Sequence, residues 1–218
     1  MTDSESLSRT DPMSPPEGPS PSAARRAPVP KRKKPGPYRV PPRAQRHGLL
    51  IVNTGDGKGK TTAALGLLLR AVGRSMRVGM FQFMKATGIT EGGEYAALRR
   101  LGVEIVPLGA GCTLGVEETA DDQTLAKSGW DHCAALLAAG EYDVLVLDEL
   151  TLPLSYGWVD TAVVVDAIRA RPVGTHVVVT GRRAPSALID AADLVTDMRV
   201  IKHPFREQGV RAQAGIDV

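Results

Sequence analysis

Two cysteines in 218 residues are too few for a disulfide framework, and Cys112 and Cys133 have neither C-x-x-C spacing nor the neighbouring histidines of a thiolate zinc site. Aromatic residues are only 4% of the chain, which leaves no stacking platform for single-stranded nucleic acid; Trp130 and Trp158 read as packing residues. No apolar run approaches the roughly 20 residues of a membrane helix. The N-terminus is charged and rich in Pro and Ser, without the apolar core of a signal peptide. With reduced thiols, these absences predict a soluble, cytoplasmic protein.

Charge of one sign is also scarce where it would matter. The net charge of +3 and pI near 9.0 invite a nucleic-acid reading, but residues 1–47 hold 10 of the 27 Lys/Arg and only 4 of the 24 Asp/Glu. Everything after residue 47 is mildly acidic, which argues against nucleic acid as the partner of the folded part. The same 47 residues carry 11 of the 16 prolines, two basic runs (Arg25-Arg26 and "KRKK" from Lys31) and little to bury, so a disordered tail is expected there. A solubilising basic arm and a contact for an acidic partner or nucleic acid are its two readings.

From Gly48 on, β-like apolar runs alternate with helical patterns, the mark of parallel strands joined by crossover helices in one α/β domain. Strands are predicted near Leu49–Asn53, Val78–Phe83, Val103–Val106, Asp143–Leu147, His176–Thr180 and Leu194–Ile201. Helices are predicted near Thr61–Val72, Gly93–Leu101, Asp121–Ala139, Thr161–Ala170 and Pro185–Ala191, with Asp160 capping one and Pro185 opening another.

The informative stretch is "NTGDGKGKTT", Asn53 to Thr62, set between an apolar run and a helical one. Counted back from Gly59-Lys60-Thr61, the G-x-x-x-x-G-K-[ST] phosphate-loop pattern wants glycine at 54; Thr54 stands there and the glycine falls at Gly55. The chemistry survives the displacement. A glycine-rich turn from strand into helix aims backbone N–H groups and the helix dipole at one point, where a polyphosphate can sit. Gly55, Asp56, Gly57, Lys58, Gly59, Lys60, Thr61 and Thr62 are the candidate nucleotide contacts. Lys60 and Lys58 supply positive charge, and the Thr61 hydroxyl suits a magnesium ion. A second half of the site is expected at the end of a neighbouring strand, where "YDVLVLDEL" offers Asp148 and Glu149, a Walker B-like pair of hard oxygen ligands. Arg182, in "TGRR", follows another strand on the same edge; a phosphate or corrin contact and a surface ion pair both remain open for it.

"TGDGKGKTTAALGLLLRAVGRSMRVGMFQFMK", "VLDELTLPLSYGWV", "VVVTGRRAPSALIDAADLVTDMR", "IKHPF" and the terminal "AQAGID" together resemble the P-loop family of ATP:corrinoid adenosyltransferases, from about Gly48 to the C-terminus. That family's own loop reads T-G-x-G-K-G-K-[ST]-T, so the displaced glycine belongs to the resemblance. The resemblance implies a P-loop NTPase-like (RecA-like) three-layer α/β domain with a mostly parallel central sheet. It implies attack by the Co(I) centre of a reduced corrinoid on C5′ of ATP, with triphosphate leaving and ATP lying reversed relative to ordinary NTPases. Carried over by position, residues 55–61 would hold the triphosphate, and Thr61 and Glu149 would hold magnesium, with manganese as a substitute. Asp148 would either orient these ligands or serve as an alternative one. A flavoprotein-type reductant and a homodimer are implied partners. Co(I) needs no general base, in keeping with the lack of any evident Ser/His/Asp set; His203 in "KHPF" matches a family position and reads as structural.

One departure stands out. Where the family carries an aromatic and a tryptophan toward the corrin face, this chain has Cys112 and Leu114, apolar but much smaller; as a cobalt ligand or an ordinary thiol, Cys112 has two readings. An ordinary ATP hydrolase or kinase, and a nucleotide-binding module without chemistry, are the competing functions.

Overall fold

The computed structural model describes residues 41–84, 93–109 and 120–216. Cys112 and Leu114 lie outside the described residues. Six strands form one sheet: β1 (Leu50–Thr54), β2 (Val78–Gln82), β3 (Glu104–Pro107), β4 (Val144–Asp148), β5 (His176–Thr180) and β6 (Leu194–Asp197). Their order is β3-β2-β4-β5-β1-β6 and every pairing is parallel. Parallel neighbours demand crossovers, supplied by α1 (Lys60–Val72), α2 (Gly93–Arg100), α3 (Ala120–Ala139), α5 (Thr161–Arg169) and α6 (Ser186–Ala191). Two short helices, α4 (Thr151–Ser155) and α7 (Pro204–Gln208), complete the described fold.

The apolar runs explain the layering. Side chains alternate faces along a strand, so a strand apolar throughout feeds two cores. Leu50, Val52, Leu145, Leu147, Val177 and Val179 pack against α3, α5 and α6, in a core that includes Trp130 and Cys133. Ile51, Val144, Val146 and Val178 pack on the other face against Ala64 and Leu68 of α1 and Leu98 of α2. The result is the three-layer arrangement expected.

Three expectations need correction. The sixth strand ends at Asp197 and not Ile201, because after a last bond from the Met198 N–H to Thr54 O of β1 (2.8 Å) the Met198 carbonyl turns to the glycine-rich loop and accepts from Gly57 N (2.6 Å). Residues 41–47, assigned to the tail by composition, pack on the domain. A 3₁₀ turn at Arg43–Gln45 places the Arg43 guanidinium on Gly140 O (2.6 Å) and Tyr142 O (2.8 Å), while Arg46 pairs with Asp143 at 3.0 Å. Finally, α4 and α7 are absent from the predicted helices; the first contains Pro153, and the second begins at Pro204, where the missing N–H costs nothing.

Asp143 precedes β4 at the end of the sheet remote from the loop. Burial pushes its carboxyl pKa up, but the Arg77 amide (2.9 Å) and the guanidiniums of Arg46, Arg77 and Arg43 pull further the other way, leaving it below the usual range. This clasp ties the chain before β1 and before β2 to the start of β4.

Candidate active site

The displaced glycine has a local cause. β1 continues through Thr54, whose side chain is buried and whose hydroxyl accepts from Ala184 N at 3.2 Å, so the turn begins one residue later. Gly55 then takes φ +94°, and a Cβ on it would overlap Asp197 Oδ1 and stand 2.5 Å from Met198 O. Only glycine satisfies both demands. Gly59, at φ +105°, is the residue from which α1 starts, and Lys60 is its first helical residue.

Lys60 is buried, and its ammonium donates to Gly55 O (2.9 Å) and Gly57 O (2.7 Å), curling the loop about itself. Desolvation lowers its pKa and Arg182 adds to this, while Glu149, Asp56 and Asp148 oppose. Asp56, Lys58 and Thr62 are exposed on the loop and first turn.

β4 and β1 flank β5, so the ends of all three strands meet under the start of α1. There Asp148, with no exposed surface, accepts three hydrogen bonds: from Thr61 Oγ1 (2.9 Å), Thr180 Oγ1 (2.6 Å) and Gln82 Nε2 (2.8 Å). Two of these bonds fall on Oδ1 and one on Oδ2, so the Thr61 hydroxyl is held by Asp148. Gln82 in turn accepts from the Tyr95 hydroxyl through Oε1. Glu149 follows at φ +58°, a left-handed conformation rare outside glycine and asparagine and held by its N–H donating to Thr180 Oγ1 at 3.0 Å. The Glu149 carboxylate reaches over Gly181, where Oε2 would lie 3.2 Å from a Cβ. Arg182 comes close enough to depress Lys60, its carbonyl accepts from Thr151 Oγ1 (2.6 Å), and it approaches Asp56 at 4.0 Å, a weak exposed pair.

The structure therefore brings together the loop from Gly55 to Thr61 with Asp148, Glu149 and Arg182. His203 stands apart as the residue preceding α7, its N–H donating to Glu207 Oε1 at 2.7 Å. Sequence reasoning missed Gln82 and Thr180, both buried polar residues closing apolar strands. That position, a hydrogen-bonding side chain ending a run such as "VGMFQ" or "HVVVT", is the signal that could have found them.

The family model described as ATP:corrinoid adenosyltransferase BtuR/CobO/CobP matches residues 46–218. The chain belongs to this adenosyltransferase family. A corrinoid adenosyltransferase of Pseudomonas aeruginosa is 41% identical over 172 residues, covering 78% of this chain and 83% of the relative. Corrinoid adenosyltransferase CobA of Salmonella typhimurium is 40% identical over 179 residues, covering 82% and 90%; the Escherichia coli corrinoid adenosyltransferase is 38% identical over the same shares. Among solved structures, the flagellar accessory protein FlaH of Methanocaldococcus jannaschii is similar at 15% identity and TM-score 0.46, covering 69% of this chain and 70% of its own. As an ATP:corrinoid adenosyltransferase, the chain is an enzyme whose substrates are ATP and a corrinoid.

Proposed function

We propose that this adenosyltransferase grips the triphosphate of ATP with the loop from Gly55 to Thr61 and leaves C5′ open to the reduced cobalt of the corrinoid. The cobalt electron pair forms the Co–C5′ bond while the C5′–O bond breaks, and the electrons of the broken bond depart on the triphosphate oxygen. No proton moves in this step, so the protein's task is to hold charge. Loop amides, Lys60, Lys58 and Arg182 face the developing negative charge as fixed, preorganised partners, which contribute on the order of several kcal/mol in such sites. Two of the three Lys60 N–H donors hold Gly55 O and Gly57 O, and the third is open to phosphate. A phosphate anion beside the ammonium restores the proton affinity that burial lowered.

The single observation carrying this reading is the fully buried Asp148, which accepts from Thr61, Thr180 and Gln82. It holds the Thr61 hydroxyl at the start of α1 and, through Thr180, which accepts from the Glu149 N–H, ties the Glu149 backbone to the same spot. The fit to magnesium is good: a hydroxyl and a carboxylate are hard oxygen donors, and magnesium keeps phosphate and water as its remaining ligands. Thr61 and Glu149 would hold it. Bound there, magnesium would neutralise part of the leaving group's charge. A flavoprotein-type reductant supplying Co(I), a homodimeric assembly and a cytoplasmic location complete the proposal.

An anaerobic assay with chemically reduced corrinoids, complete and incomplete, tests it. Triphosphate and a light-sensitive adenosylated corrinoid in equal amounts are expected, with the Lys60→Ala variant losing about a hundredfold or more in kcat/KM. ADP and phosphate as products would instead mark a hydrolase and end the proposal.

A further inference from the structure

Beside the loop, on the side of β6, lies a cavity of about 590 Å³ that the mechanism above does not use. Its walls are Thr54 at the end of β1, Gly55 and Asp56 of the loop, residues 197–200, and Arg183, Ala184 and Arg206. With Arg199, three arginines line one space. Among the described residues none of the three makes an ion pair or a side-chain hydrogen bond, whereas Arg43, Arg46 and Arg77 all engage Asp143.

Arg183 is held there against its backbone preference. Its φ is +53°, and the bonds on either side fix it: Thr151 Oγ1 donates to Arg182 O, and Ala184 N donates to Thr54 Oγ1. A strained non-glycine residue clamped from both neighbours beside a binding loop is where function justifies the cost. Two carboxylates share the cavity. Asp56 leans toward Arg182 and Asp197 covers Gly55, so the lining keeps a net charge of one positive.

We propose that Arg183, Arg199 and Arg206 extend the phosphate loop into a polyphosphate site, taking the end of the chain remote from the nucleoside and retaining free triphosphate after transfer. The loop forms one wall of the cavity, so a chain seated on its amides enters without leaving the loop. Guanidinium groups favour the terminal phosphate, the most charged part of the nucleotide, and give a neutral nucleoside nothing. This rests on the reading that the loop binds the ATP triphosphate, but it is tested without corrinoid or turnover.

The full chain is titrated calorimetrically with inorganic diphosphate and triphosphate, before and after Arg183→Ala with Arg206→Ala. Wild type is expected to prefer triphosphate by about tenfold or more, and the double variant by about threefold or less, with diphosphate affinity held within about twofold. Lysine at both positions should recover part of the preference, as a point charge does. Arg206→Ala alone, on exposed α7, gives the same direction should the double variant fail to fold. An unchanged preference in a folded variant, a parallel loss of diphosphate affinity, or no binding of either chain by wild type would overturn the site. Should the preference shift as expected while every reduced corrinoid fails to react, the polyphosphate site stands and the adenosyl-transfer mechanism falls.

Discussion

Replacing Asp148 by alanine removes the acceptor of three donors at once. Thr180 is fully buried and Gln82 is 2% exposed, so neither can turn to water, whereas half-buried Thr61 can. A buried donor left without a partner costs about 1–3 kcal/mol, so the two together lose roughly 2–6 kcal/mol. Relief from burying a carboxylate offsets part of this, leaving about 3 kcal/mol. In a domain of this size that is a fall in Tm of about 6–12 °C. Asparagine should behave differently. Its oxygen keeps both hydroxyl bonds at the Oδ1 position, but its amide meets the Gln82 amide donor until the Gln82 side chain flips; the flipped amide can then donate to the Tyr95 oxygen. Asp148→Asn is therefore expected to cost about 1 kcal/mol, a third of the alanine figure. Urea unfolding of both variants, alone and with Gln82→Leu, separates the terms, because the asparagine penalty should shrink once the opposing amide is gone. Equal losses for alanine and asparagine, or an alanine variant within about 1 kcal/mol of wild type, would refute the assignment of Asp148 as the acceptor of these three donors.

Gly55→Ala should weaken ATP binding by about tenfold or more in calorimetry, since φ +94° and contact with Met198 both exclude a Cβ; adding Thr54→Gly should not rescue it. Acid should destabilise the fold in two stages. His176 accepts from Leu49 N through Nδ1, and burial, with Arg46 and Arg171 nearby, lowers its pKa below 6.5, so its contribution is present above the unfolded value of about 6.5 and is lost as pH falls through the folded one. Asp143, also lowered, loses its share further down, below about pH 4. Urea midpoints across pH 3–8 check this, and Asp143→Asn should diminish the lower stage while moving the His176 stage further down, since the Asp143 carboxylate opposes the fall in the His176 pKa. Cys112→Phe with Leu114→Trp is expected to raise turnover on complete cobalamin in the anaerobic assay, and an unchanged rate would count against reading that loop as an undersized corrin contact.

Most of the fold is legible in the sequence because central parallel strands need apolar residues on both faces, and a run such as "VLVLD", too short for a helix and rich in β-branched residues, fits little else. The phosphate loop, Asp148 and Glu149 are legible because their spacing is local. What escapes depends on distant partners. Gln82 and Thr180 matter only because β2 and β5 deliver them to Asp148, 66 and 32 residues away in the chain. Val200 and Ile201 look like strand, yet Met198 is drawn off by the loop. Arg43 and Arg46 look like part of a disordered tail until the fold presents Asp143 and the Gly140 carbonyl. For Asp148 the residue pattern admits a metal ligand or an orienting group, and only its burial favours the second.

The bond from Gly57 N to Met198 O means that one loop amide is already occupied before any nucleotide arrives. For that amide to turn to a phosphate, the Met198 carbonyl must let go, while the Met198 N–H on Thr54 O keeps β6 tethered. Nucleotide occupancy would then be read at Gly57 itself, whose amide would pass from a backbone carbonyl to a phosphate oxygen.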